Sequence, residues 1–154
     1  KFIFAISQQD AEGLVDLESS IHVGVRAAIN TDSIVPYAEG LGYRVLPFAR
    51  LADMDIGSAI SEIREPLEGK PVYVCFDMDF FDPAFAPGVC HPTPGGASSH
   101  LGLSLLRGMA GLDVVACDIN NVSPPHDLTD GTTANLAATV MLECFGLILS
   151  NNSR

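Results

Sequence analysis

The chain has 154 residues, the size of one domain or a large piece of one. Hydrophobic residues make up 47% and charged residues 18%, which suffices for a packed core and argues against disorder. With 8 Lys+Arg against 19 Asp+Glu the net charge is -11, so the basic stripe of a nucleic-acid binder is missing and that class of partner is excluded.

Residues 2–13 read as an amphipathic helix, with Phe2, Ile6 and Gln9 along one side and Gly13 near its end. Ile21 to Arg26 reads as a strand with alternating β-branched residues. Asp32 to Gly40 reads as a helix closing at a glycine, and Tyr43 to Phe48 as the next strand. The spacing Ile56, Ile60, Ile63, Leu67 predicts a helix that Pro66 ends or distorts. Val72 to Phe76 is the clearest strand and runs straight into Asp77. A long Pro/Gly-rich loop, Asp82 to Gly96, follows, and Ser98 or Ser99 caps a helix through Met109. Leu112 to Cys117 is another strand, ending in Asp118; a second loop, Asn120 to Gly131, leads to a helix from about Thr133 to Leu149.

Strands alternating with helices predict an α/β fold with a mainly parallel sheet. The loops after Asp77 and Asp118 both leave the carboxyl ends of strands, where open α/β sheets place their ligands.

The apolar runs read as short and broken by Gly, Pro or charge, so no membrane span and no membrane partner are expected. The N-terminus shows no basic region, apolar run and cleavage site in succession, so no signal peptide is expected. Cys75, Cys90, Cys117 and Cys144 follow no CxxC or framework spacing. Cys75 and Cys117 read as buried free thiols, which suits a reducing, cytoplasmic compartment. A start at Lys1, directly in a helical pattern, reads as that of a fragment or a processed chain.

The run FDMDFFDPAFAPG places Asp77, Asp79 and Asp82 together at a strand end. In extended chain, residues two apart point the same way, so Asp77 and Asp79 would present both carboxylates to one side. Two anions that close raise one pKa unless a cation lies between them, and such a site suits hard ions such as Mn²⁺ or Mg²⁺. An acidic turn that caps the strand and faces water is the alternative.

Residues 72–96, VYVCFDMDFFDPAFAPGVCHPTPGG, resemble the signature of the ureohydrolase family, the arginases, agmatinases and guanidinobutyrases. In that signature a strand enters Asp-x-Asp-x-x-Asp-Pro-x-x-x-Pro and then Pro-x-x-Gly-Gly. IHVGVRA and DINNVSPPHD resemble an earlier strand and a later strand and loop of the same family. The resemblance implies a three-layer α/β/α fold of which residues 1–154 are the C-terminal portion, without the N-terminal one. It implies two divalent metal ions, manganese or nickel, with Asp77 and Asp79 as ligands. Asp82, before Pro83, is read as structural, holding the loop through its own backbone. The implied chemistry is attack of a metal-activated water on the guanidinium or amidine carbon of a small guanidino substrate, releasing urea and an amine.

Three departures qualify what the resemblance implies. The family's other four ligands lie in Gly-Gly-Asp-His and Asp-x-His-x-Asp motifs, and neither occurs in these residues. The chain by itself is therefore expected to be inactive, with the remaining ligands on a missing N-terminal half or another subunit. Where the family usually has a Glu that receives the guanidinium, this chain has Asn121, whose carbonyl can still accept one N–H bond; a locally bonded turn residue is the alternative. Where the family loop commonly reads Gly-Thr-Gly-Thr-Pro, this chain has Gly88, Val89, Cys90, His91 and Pro92. His91 is a candidate proton shuttle or substrate contact, or an exposed loop histidine, and Cys90 a candidate pocket residue. His126 is a candidate for the edge of the site, His22 is read as packed in its strand, and His100 as decorating a helix start. Asp118 is read as support for a metal ligand or as ordinary strand-end hydrogen bonding.

The expectation is thus a metal-dependent amidinohydrolase with Asp77 and Asp79 as ligands and His91, Asn121 and His126 toward substrate. A non-catalytic, ureohydrolase-like subunit kept for assembly is the alternative. By resemblance the protein assembles as a trimer or hexamer, with itself or with another subunit. Open strand edges predict poor solubility of this portion alone.

Overall fold

A computed structural model describes residues 13–26 and 31–151. The helix expected over residues 2–13 lies outside them apart from Gly13, which sits in a turn. The described elements are β1 (Ile21–Val25), α1 (Thr31–Gly40), β2 (Arg44–Pro47), α2 (Phe48–Ala52), α3 (Ile56–Arg64), β3 (Pro71–Asp77), α4 (Ser99–Gly108), β4 (Asp113–Asn120) and α5 (Thr132–Asn151). The class is α/β with parallel strands, as the alternation predicts. Helix α2 is absent from the sequence reading. The expected strand stops at Pro47, which lacks the N–H a ladder needs and precedes the five-residue helix as its cap.

Helix starts follow local chemistry. Asp55 accepts the Ser58 N–H at 2.9 Å and opens α3, and Ser98 accepts the Leu101 N–H at 3.1 Å and opens α4. Helix α3 ends at Arg64, before Pro66.

The strands form two parallel pairs, β1 with β2 and β3 with β4, as separate two-stranded sheets. One core cluster joins them, with Leu46 of β2, Val72 of β3 and Val114 of β4 among its buried residues and Ile21 and Val23 of β1 packed against it. A second cluster, built on Met78, Phe81, Ala86, Val89, Ala97 and Leu106 with Val140 and Cys144 of α5, lies under the loop that follows β3.

Pairing of β3 with β4 contains a register shift: Val72 faces Val114, but Tyr73 faces Ala116. Val115 is the extra residue of a bulge. The bulge resets the alternation of β4. Cys117 and Ile119 turn to the second core cluster, and Asp118 and Asn120 turn to the opposite face, where Tyr73 and Cys75 are exposed. Two expectations are corrected by this. Asp118 does not end the strand, which continues to Asn120. Cys75 is exposed rather than buried, because its neighbours Val74 and Phe76 take the core-facing positions; Cys117 is half-buried.

Helix α5 corrects a third. Thr132–Ser150 is long and apolar enough, by length and composition alone, to cross a membrane, so the apolar runs are not all short. Glu143 is its one charged residue. Thr133, Val140, Cys144 and Leu147 form its buried side, with Val140 and Cys144 in the core cluster that also takes in Cys117 and Ile119 of β4. The same apolar character serves a helix lying on a sheet.

Candidate functional site

Asp77 closes β3 and caps the 3-10 turn Met78–Phe80, accepting the Asp79 N–H on Oδ1 at 2.8 Å. The two aspartates therefore come together through a turn, not through the extended alternation expected from their spacing. On the neighbouring strand Asn120 stands opposite Asp77. The next residue, Asn121, has φ +63°, the one positive φ outside glycine among the described residues. That conformation ends β4, and the Asn121 amide donates to Asp77 Oδ2 at 2.7 Å.

Asp79 is the more enclosed of the pair. Burial first, and then the neighbouring charge of Asp77, push its carboxyl above the ordinary value. The His91 N–H donates to Asp79 Oδ1 at 3.3 Å, and the ring Nδ1 lies 3.5 Å from Oδ2. His91 is nevertheless 84% exposed, so its ring stands largely in water beside Asp79.

Asp82 has a different task. Its Oδ1 accepts the Ala84 N–H at 2.9 Å, and its Oδ2 accepts those of Gly95 and Gly96 at 2.7 and 3.0 Å. These bonds, Ala84 foremost, hold its carboxyl below the ordinary value. It closes the loop on itself, the structural role expected of it.

Arg26, just past β1, does the corresponding work from outside the loop. Its guanidinium donates to the carbonyls of Asp79 at 2.5 Å, Phe80 at 2.8 Å, and Phe81 and Thr93 at 3.0 Å each. It lies 5.7 Å from the centre of the Phe48 ring. Two glycines permit this approach. A Cβ on Gly24 would come within 2.2 Å of the Phe80 ring, and one on Gly96 within 2.7 Å of the Arg26 guanidinium. Arg26 escaped the sequence reading; its signal was a lone cation after a strand in a chain with few cations.

The second loop locks onto the first. Val89 and Val122 form an antiparallel bridge, and the Ser123 N–H donates to the Gly88 carbonyl at 2.8 Å. The Gly88 N–H donates to the buried Thr133 hydroxyl at 2.7 Å, at the start of α5. Asp127 caps that helix, accepting the N–H groups of Thr133 and Ala134 at 3.0 Å each. His126 bonds within its own turn, Nδ1 to Ser123 Oγ at 2.8 Å.

On the open face of the β3–β4 pair, Tyr73 donates to Asp118, which raises the phenol to about 12. The Asn120 amide reaches Asp118 Oδ1 at 2.8 Å and Cys75 Sγ at 3.3 Å. Although the residue is exposed, partial desolvation of its sulfur pushes the Cys75 thiol up. Asp118 thus serves a row of side chains on the sheet rather than the aspartate pair. Cys90 is exposed, His22 packs edge-on against Tyr43 at 5.3 Å, and His100 is exposed in the first turn of α4.

Of the residues singled out from sequence, Asp77, Asp79, Asn121 and His91 come together, and His126 bonds elsewhere. The pair has the chemistry of a cation site. Two carboxylates adjoin, one partly desolvated, and the nearby guanidinium is committed to main-chain carbonyls. The donor set is incomplete: among the described residues no group of three or more His, Cys, Asp or Glu is placed to hold a metal. The residues present fit part of a divalent-metal site.

The chain is similar to known proteins. The pattern of the arginase family matches residues 5–146. Guanidinopropionase of Pseudomonas aeruginosa is 36% identical over 143 residues, 93% of this chain and 45% of that protein. The mitochondrial guanidino acid hydrolase of Homo sapiens is 37% identical over 132 residues, 86% of this chain and 37% of that protein. Among solved structures, the proclavaminate amidino hydrolase of Streptomyces clavuligerus superposes with a TM-score of 0.83 at 34% identity, over 93% of this chain and 46% of that one. The chain belongs to the arginase family. It carries part of the arginase fold and spans less than half the length of these relatives.

Proposed function

We propose that this chain supplies one side of the active site of a metal-dependent hydrolase. The reaction adds water at a guanidino carbon, breaks its C–N bond to the rest of the substrate and releases urea and an amine. Relatives named for guanidinopropionate, guanidino acids and agmatine support a small guanidino compound as the substrate class. The observation that carries the proposal is the Asp77–Asp79 pair at the carboxyl end of β3, held by backbone and amide donors yet without a committed side-chain cation.

Asp77 and Asp79 hold one side of a pair of divalent ions, manganese or nickel, whose remaining ligands come from the part of the family fold this chain does not span or from another subunit. When bound, such ions supply a water acidic enough to attack at neutral pH. Arg26 and Asp82 fix the loop backbone so that the Asp79 carboxylate stays where burial weakens its hydration. His91, on the exposed side of Asp79, is placed to exchange a proton with solvent or to meet the substrate at the entrance. Exposed Cys90 and His126 line the outer loops and carry no step.

The test is metal content and urea release of the full-length protein, as wild type and as Asp77→Ala, across guanidino acids, agmatine and arginine. Wild type is expected to hold Mn²⁺ and release urea, and Asp77→Ala to lose both. Unchanged Mn²⁺ occupancy in Asp77→Ala would end the ligand assignment. The incomplete donor set also favours a second reading, a non-catalytic subunit kept for assembly; metal binding by wild type without urea release from any guanidino compound would select it.

A further inference from the structure

We propose that Asn121 is a positioning residue for Asp77 rather than a substrate contact. This rests on the reading of Asp77 as a metal ligand and adds to it the group that orients that ligand. Asp77 is engaged on both oxygens, Oδ1 by the Asp79 N–H at 2.8 Å and Oδ2 by the Asn121 amide at 2.7 Å. The donors reach the carboxylate from two different strands' ends, so its plane is fixed relative to the sheet. An ionised carboxylate offers about four lone-pair sites, and two donors leave room on each oxygen for a cation.

The residue type suits this task at this backbone. With φ +63°, position 121 adopts a conformation that Asn tolerates better than nearly all other non-glycine residues. Asn there supplies an N–H donor to Asp77, which an ionised Asp or Glu could not. One of the two amide N–H groups is spent on Asp77, which fixes the side chain's orientation toward that carboxylate. The geometry is reproducible from the fold: Asn120 is the register partner of Asp77, and the left-handed step at the next residue swings the amide back across the strand gap.

The role separates from its rivals by which quantity moves. Mn²⁺ alone is titrated calorimetrically into the metal-stripped full-length protein, as wild type, Asp77→Ala, Asn121→Gly and Asn121→Ala. KM and kcat for the best guanidino substrate, and metal-free thermal unfolding, are measured alongside. Glycine accepts the positive φ without strain and removes the side-chain amide, donor and acceptor together. Asn121→Gly is expected to weaken Mn²⁺ binding about 10-fold, the low end for loss of a group supporting a metal ligand, with metal-free unfolding and metal-saturated KM unchanged.

A raised KM with wild-type Mn²⁺ affinity in Asn121→Gly would return Asn121 to substrate binding and overturn the proposal. Loss of affinity in Asn121→Ala but not in Asn121→Gly would show that backbone strain matters and the donor does not, with the same consequence. In both cases loss of Mn²⁺ by Asp77→Ala leaves the metal reading standing. If wild type and Asp77→Ala bind Mn²⁺ alike, the metal reading fails and this proposal with it.

Discussion

Two aspartates three positions apart are driven in opposite directions by their surroundings. Asp79 is pushed up by burial and by Asp77, whereas Asp82 is held down by the N–H groups of Ala84, Gly96 and Gly95. The first gains from a cation and the second has already been satisfied by the backbone. Asp82 therefore contributes to stability in its charged form. A folded-state value below the ordinary 3.8 means that the contribution is complete above that pH and is lost as pH falls through the folded value. Asp82→Asn keeps the shape but not the charge. In urea unfolding of the full-length protein, wild type is expected to exceed Asp82→Asn at pH 7, with the gap narrowing as pH falls below about 4. A gap that stays constant down to pH 3 would show that the loop is held by something other than the ionised carboxylate.

At the scale of elements, the two loops and α5 behave as one clasp. The Thr133 hydroxyl is fully buried and accepts the Gly88 N–H, tying the start of α5 to the loop that carries His91. Thr133→Val keeps the volume and leaves that N–H without a partner, which costs about 1–3 kcal/mol. Thr133→Ser keeps the bond and loses a methyl, for about 1 kcal/mol. Chemical denaturation of the two variants checks the order; equal losses would mean that packing and not the hydrogen bond sets the cost. Much of this level could be read in sequence, because capping and turn chemistry are local. Ser98 starts α4 and Asp82 closes its own loop as the residues alone suggest. What escaped reading is non-local. Arg26 gathers carbonyls from more than fifty positions away, and no periodicity points there. The bulge at Val115 depends on pairing with β3, and without it the alternation of β4 assigns Asp118 and Cys117 to the wrong faces. Cys75 looked buried because its run is apolar, but a strand with one covered face buries only every second residue.

At the scale of the molecule, the exposed surface is that of part of a fold. The strands stop at two separate parallel pairs, and each pair has edges without a strand partner among the described residues. Parallel strands ordinarily lie covered on both faces. Here Tyr73 is 60% and Val115 55% exposed on the open face of the β3–β4 pair. Along α5, Leu142, Phe145 and Leu149 are 69%, 50% and 64% exposed at helical spacing. Apolar surface of this kind, next to unpaired edges, favours association with more protein. Residues 1–154 produced alone are therefore expected to self-associate, eluting from a sizing column as large and polydisperse species by light scattering. A protein that also carries the part of the family fold not spanned here is expected to give a single defined assembly under the same conditions. Co-expression of a separate chain that supplies the part of the family fold not spanned here is expected to give a defined species. A monodisperse, cooperatively unfolding monomer from residues 1–154 alone would show instead that the exposed strand edges and the apolar side of α5 are tolerated by water.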